Sequence, residues 1–278
     1  MSNWRGEGGF EVKFVHLASV IIAGAIVVAA LPAEAQSRRI RTNNWRKRDR
    51  GSGIYQGTPQ RFAFELRFGP YYPAVDEEFG GSGPYNRYFG DSGRFHFGTE
   101  FDWQALRIPW VGTFGPGVGI GYTSATAKGF AEGVLDTPAT KDDDRKGETS
   151  LMIAPMHLSA VIRLDELFRR TGFPVVPYAK LGLGVGLWWV NSGEEQAKVT
   201  TNGKEVLGRG TSYGVHWALG GMLALDFLGR REMSALDQET GVNHVHLFGE
   251  WMNQNLGLGT GQMHVGTSTF MGGLTFEM

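Results

Sequence analysis

From Arg61 to Met278 the chain alternates apolar with polar or very small residues, the period of strands whose two faces meet different surroundings. In 61–69, Phe62, Phe64, Leu66 and Phe68 point one way, and Arg61, Ala63, Glu65, Arg67 and Gly69 the other. Segment 94–106 sets Phe95, Phe97, Phe101 and Trp103 against Arg94, His96, Glu100, Asp102 and Gln104. Segment 113–123 interleaves Phe114, Pro116, Val118, Ile120 and Tyr122 with four glycines, which let strands crowd and bend. In 150–164, Met152, Ala154, Met156, Leu158, Ala160 and Ile162 oppose Pro155, His157, Ser159 and Arg163. In 177–190, Leu181, Leu183, Val185, Leu187 and Trp189 oppose Lys180, three glycines and Trp188. Segment 211–226 sets Tyr213, Val215, Trp217, Leu219, Leu223 and Leu225 against His216, Ala218, Gly220 and Asp226. Segment 243–253 sets Val245, Leu247 and Trp251 against His244, His246 and Glu250. The last, 265–278, sets Phe270, Leu274, Phe276 and Met278 against Thr275 and Glu277. The pattern predicts eight strands.

Alternation alone does not say which face is the inside. A soluble barrel puts aromatics in and charges out. Here one face of every strand carries charged, histidine or very small residues, which suits the narrow interior of a small barrel whose apolar face meets lipid. An even count with the N-terminal arm in the periplasm returns the C-terminus there. Phe68, Phe95, Tyr122, Trp189, Tyr213 and Trp251 then fall at outer strand ends, and Phe62, Trp103, Phe114 and Phe276 at inner ends, as two aromatic girdles. The outer connectors are 70–92, 124–149, 191–210 and 254–264; the inner ones are 107–112, 165–176 and 227–242. The last two are partly helical by pattern, with Leu164, Leu167 and Phe168 on one face and Met233 and Leu236 on another.

Composition agrees. Glycine occupies 42 of 278 positions, roughly twice its usual share, which disfavours a helical bundle. The formal net charge of -1 provides no general field for nucleic acid. With no cysteine, disulfides, thiolate catalysis and thiolate metal sites are excluded. Residues 14–31 are almost purely apolar, follow Arg5 and Lys13, and lead into an A-x-A site ending at Ala35. They read as a cleaved secretory signal over 1–35, with a permanent inner-membrane anchor as the alternative. Residues 36–60 hold Arg38, Arg39, Arg41, Arg46, Lys47, Arg48 and Arg50 against Asp49. This predicts a flexible basic arm, either a solvated linker or a contact for anionic headgroups or cell-wall polymer. The barrel domain is then 61–278.

These segments resemble the small eight-stranded bacterial outer-membrane β-barrels of the OmpA/OmpW/OmpX type, and especially the short barrels common in myxobacteria. The stretches that carry the resemblance are FELRFGPYYPAVDEEFG (64–80), FGTEFDWQ (97–104), RLDELFRRTGFPVVPYAKLGLGVGLW (163–188) and the ending GGLTFEM. The ending looks like the insertion signal of such proteins, with Gly273 and Phe276 in place and Met278 where a terminal aromatic is usual. The resemblance implies a fold, a compartment and assembly by the barrel assembly machinery; it carries no catalytic motif.

Several groups bear on chemistry. Glu65, Arg67, Arg94, Glu100, Asp102, Lys180, Asp226 and Glu250 share the inward face, where charges must pair to offset desolvation. They form either a salt-bridged plug or a narrow ion path gated by those pairs. His157 and Ser159, two apart on one face, have the spacing of a histidine-activated hydroxyl, with Glu250 or Glu100 as orienting acid. H-x-S arises readily by chance, and packed residues are the preferred reading. His244 and His246, with His216 and Glu250, outline a weak metal site, against which satisfied interior histidines are preferred. Asp142, Asp143 and Asp144 lack the spacing of an EF-hand. In connectors 70–92 and 124–149, ten acids against five bases leave -5, which disfavours polyanions.

The expected fold class is all-β: an eight-stranded antiparallel up-and-down transmembrane barrel with short helical periplasmic turns. The expected protein is a monomeric outer-membrane barrel without cofactor, metal or catalytic residues, in contact with lipid and lipopolysaccharide but not nucleic acid. Its role would be structural or surface-binding, through loops 70–92, 124–149 and 191–210. A narrow OmpW-like channel is the alternative, followed by a lipid-A-modifying enzyme and a soluble ligand-binding barrel.

Overall fold

The computed structural model describes residues 61–79, 83–128, 148–193, 195–201, 204–225, 241–259 and 262–278. The signal and arm, the Asp142–Asp144 cluster, Asp226, and Met233 and Leu236 lie outside the described residues.

Eight long strands follow one another: β1 (Phe62–Tyr71), β2 (Arg94–Trp103), β3 (Gly112–Lys128), β4 (Glu148–Arg163), β5 (Val175–Ser192), β6 (Arg209–Ala224), β7 (His244–Leu256) and β8 (Thr267–Glu277). Each pairs antiparallel with its sequence neighbours, and β1 pairs with β8 (Ala63 opposite Glu277, Phe68 opposite Gly272), so the sheet closes into an up-and-down barrel. Closure leaves no edge strand among the eight, so every strand has a backbone partner on both sides. We call the rim bearing Phe62, Trp103 and Phe114 proximal and the opposite one distal. Alternation sorts the side chains as expected: Leu158 and Leu183, directly opposite each other, are 60% and 68% exposed, while Glu65, Glu100 and Lys180 on the other face are buried. Outward aromatics touch in pairs, Phe68 with Phe95 and Tyr122 with Trp189 distally, and Phe62 with Phe101 toward the proximal side.

The structure departs from the pattern in two places. Strands β3 and β4 run on past the outward girdle to pair Lys128 with Glu148. Beyond Tyr122 polar residues dominate, so the apolar signal fades where the ladder continues. At the proximal rim, the segment expected over 94–106 ends at Trp103, where the chain bends (Ala105 N–H to Trp103 C=O, 2.8 Å). After this bulge a three-residue strand, Leu106–Ile108, resumes the same antiparallel pairing along the start of β3. Connector 165–176 holds helix α2 (Glu166–Thr171), as its apolar spacing predicts; it follows helix α1 (Pro84–Phe89) of the first distal loop.

The interior is layered. Near the proximal rim, Val176, Tyr178, Met222 and Phe248 cluster with Phe168 of α2 beneath them. Toward the distal rim, Tyr71, Leu151, Ile153, Leu256, Val265 and Met271 form a larger apolar cluster, completed by Val75 and Tyr85 from the first distal loop. Charged residues lie between.

Candidate functional site

The middle layer gathers side chains from six strands. Lys180 of β5 donates from Nζ to Glu65 Oε2 of β1 at 2.7 Å and to Glu100 Oε2 of β2 at 2.8 Å, with Glu250 Oε2 of β7 at 3.8 Å. Arg67 bridges Glu100 and Glu250. Arg163 of β4 pairs with Glu65 Oε1 at 3.0 Å and with Asp102, and reaches Glu277 Oε1 of β8 at 3.8 Å. Tyr178 donates its hydroxyl to Glu250 Oε2 at 2.7 Å. These groups are all buried. Buried ions persist only when neighbours replace their lost hydration, and here each cation meets two or three carboxylates. The glycines of β3 make the room: a Cβ on Gly117 would strike the Asp102 carboxylate, and one on Gly119 the His157 ring.

Of the eight inward charges expected from the pattern, Glu65, Arg67, Glu100, Asp102, Lys180 and Glu250 meet in this network. Arg94 does not. It sits at the distal start of β2, and its guanidinium donates to the Phe89 carbonyl, tying α1 to the barrel. Arg163, Tyr178 and Glu277 are members the pattern reading left out. Arg163 carries the right signal, since it shares the inward parity of His157 and Ser159, but the pattern alone does not bring it to Glu65 and Asp102.

The candidate dyad separates. His157 directs Nε2 to Glu100 (3.2 Å) and Nδ1 to Gln254 (3.3 Å), and stacks on His216 with ring centroids 3.9 Å apart. The Ser159 hydroxyl makes no hydrogen bond. The histidine group separates too. His216 lies opposite Gln254, whereas His246 lies opposite Ala224, eight positions down β6, about 26 Å at the rise of a strand. His244 and His246 instead pack against Phe168. Carboxylate oxygens of Glu65, Glu100 and Asp102 approach within 4.8 Å of one another, but Lys180 and Arg163 already occupy the space that a metal ion would neutralise.

Over the distal mouth, a 3-10 helix (Ala74–Phe79) and α1 form a cap. Asp76 accepts from the backbone N–H groups of Tyr85 (2.7 Å) and Asn86 (2.8 Å), filling orphan donors of the first turn of α1. Glu78 Oε1 accepts from His264 N–H at 3.0 Å and the Tyr71 hydroxyl donates to Val265 C=O at 2.6 Å, so two distal loops are tied together. Asp76→Ala is expected to cost about 1 kcal/mol and to speed limited proteolysis within 72–93, leaving the barrel itself folded. Unchanged cleavage would mean that Asp76 does not hold the cap. At the proximal rim, Arg107 pairs with Asp165 at 3.0 Å, yet burial outweighs this and raises the Asp165 carboxyl above its ordinary range.

No protein-family model matches the sequence, and no curated protein does. Among the solved structures the chain resembles are two that align over most of both chains. The attachment invasion locus protein Ail of Yersinia pestis, in complex with the heparin analogue sucrose octasulfate, covers 79% of this chain and 97% of its own at 12% identity and a TM-score of 0.39. The N-terminal β-barrel domain of Pseudomonas aeruginosa OprF covers 80% of this chain and 100% of its own at 11% identity and a TM-score of 0.32. By its own strand register, the chain is a closed eight-stranded antiparallel up-and-down barrel.

Proposed function

We propose that this chain resides in the outer membrane as a monomeric, plugged barrel with a structural and surface-binding role, and that it is neither an enzyme nor an open channel. One observation carries the reading: an apolar exterior surrounds an interior closed by paired charges and capped by apolar clusters at both ends. On this reading the proximal rim faces the periplasm, Gly273, Phe276 and Met278 form the signal for the assembly machinery, and the distal loops meet lipopolysaccharide and the cell surface. What the loops display is a folded cap over 72–93 and a hairpin of two short strands, Lys198–Thr201 and Lys204–Leu207.

Cold and boiled samples of outer-membrane fractions on SDS gels test the placement, because a folded transmembrane barrel resists SDS until it is heated. A mobility shift supports the reading; recovery as a soluble periplasmic protein without a shift discards it in favour of a soluble ligand-binding barrel. The narrow channel is tested by planar-bilayer recording of Glu65→Gln/Glu100→Gln. We expect no gain in conductance over the wild type, because the distal apolar cluster still closes the path. A rise would instead identify the charge pairs as a gate.

A further inference from the structure

The proximal rim carries an apolar ledge that the barrel wall does not need. Leu106 lies opposite Phe114, and directly opposed residues of an antiparallel pair share a face. Leu106 and Ile108 therefore extend the outward wall below the Trp103–Phe114 girdle, and both are exposed. The turn that follows is closed by Val111 N–H to Ile108 C=O (3.2 Å), with Pro109 then Trp110 at its corner. Trp110 has φ +70° and is the one non-glycine residue with positive φ among the described residues. Glycine is the usual occupant of such a corner, and a bulky side chain there is a true outlier. This one is 77% exposed. The Arg170 guanidinium of α2 lies 3.6 Å over its ring centroid, and Arg107 ties the same hairpin to Asp165. Leu167 and Phe173 add exposed apolar surface beside it.

We infer that this ledge is an interfacial seat for anionic phospholipid headgroups of the periplasmic leaflet. The inference rests on the membrane reading above. Three observations select the occupant. First, the apolar row is continuous with the lipid-facing wall. Second, aromatic and arginine side chains have an apolar body and a polar tip, which suits the headgroup level. Third, charge is complementary by one: Arg107 pairs with Asp165 (3.0 Å) and Arg170 with Glu166 (2.6 Å), and Arg169 adds a cation in excess of the acids.

The test uses the full mature chain folded in phosphatidylcholine vesicles doped with phosphatidylglycerol. Spin-labelled versions of the two lipids report which is held at the protein surface. The wild type is expected to prefer phosphatidylglycerol several-fold at low salt. Arg169→Gln/Arg170→Gln should lower that preference by on the order of fivefold for each charge that reaches the headgroups, and added salt should do the same. Trp110→Gly should also weaken it while keeping the barrel at least as stable, because glycine suits the positive φ; its unchanged boiling shift separates lost lipid contact from lost fold. Equal retention of the two lipids by a wild type that shows the boiling shift overturns the inference and leaves the barrel reading standing. Co-sedimentation with peptidoglycan that needs Arg169 and Arg170, without lipid preference, also overturns it and assigns the ledge to the cell wall. A wild type with no boiling shift removes both readings.

Discussion

Replacing Lys180 by methionine is expected to destabilise the barrel by about 3–5 kcal/mol, the cost of stripping one partner from a buried ionic group. Its Nζ lies within 3.8 Å of Glu65, Glu100 and Glu250, all buried, so its loss leaves three carboxylates facing one another with only Arg67 and Arg163 to answer them. The readout is the temperature at which the SDS-resistant band converts to the unfolded one, or the urea midpoint in vesicles. Adding Glu65→Gln and Glu100→Gln to the same chain should recover most of the loss, because the penalty comes from unpaired charge and not from missing volume. A methionine variant as stable as the wild type would mean that solvent reaches and screens the middle layer, and the plug would have to be redrawn as a wet lumen.

The second large effect concerns the outside of the wall. Leu183→Arg is expected to cost about 2–4 kcal/mol in a bilayer, while Phe95→Arg at the distal rim should cost only about 0–1, the depth profile of a transmembrane barrel. Leu183 sits at the centre of β5 opposite Leu158, and Phe95 is the second residue of β2. In a soluble barrel both would be ordinary surface exchanges worth within about 0.5 kcal/mol. Equal, small effects at the two depths would therefore discard the membrane placement, whatever the gel behaviour.

These expectations rest on features that differ in how readily the chain discloses them. The outward face is legible because each outward residue announces itself: Phe64, Phe101, Val118, Leu158 and Leu183 are apolar one by one, and a period of two is enough to align them. The middle layer is half legible. Parity puts Glu65 and Lys180 inside, but only the register reveals that Lys180 reaches both Glu65 and Glu100. Arg163, at the end of β4, is inward by parity, but only the register brings Glu65 and Asp102 beside it. The distal cluster is the least legible. Val75 and Tyr85 come from connector 70–92, which shows no period, and they are apolar contributors only once the cap has folded inward; Val265, expected to open the last strand, instead precedes it and turns into the cluster. Trp110 carries no sequence signal of its own, because its positive φ is a property of the turn that holds it.

The bridge between Arg67 and Glu250 has a consequence for the order of assembly. Arg67 belongs to the first strand and Glu250 to the seventh, and β8 lies between them, so the pair spans the seam where the two ends of the sheet meet. Until the last hairpin arrives, Arg67 has Glu100 but not Glu250, and the bridge across the seam cannot form. Closing the seam and completing the Arg67 bridge are thus a single event. The completed barrel should therefore reopen at this seam only by parting Arg67 from Glu250 and leaving both ions short of a partner.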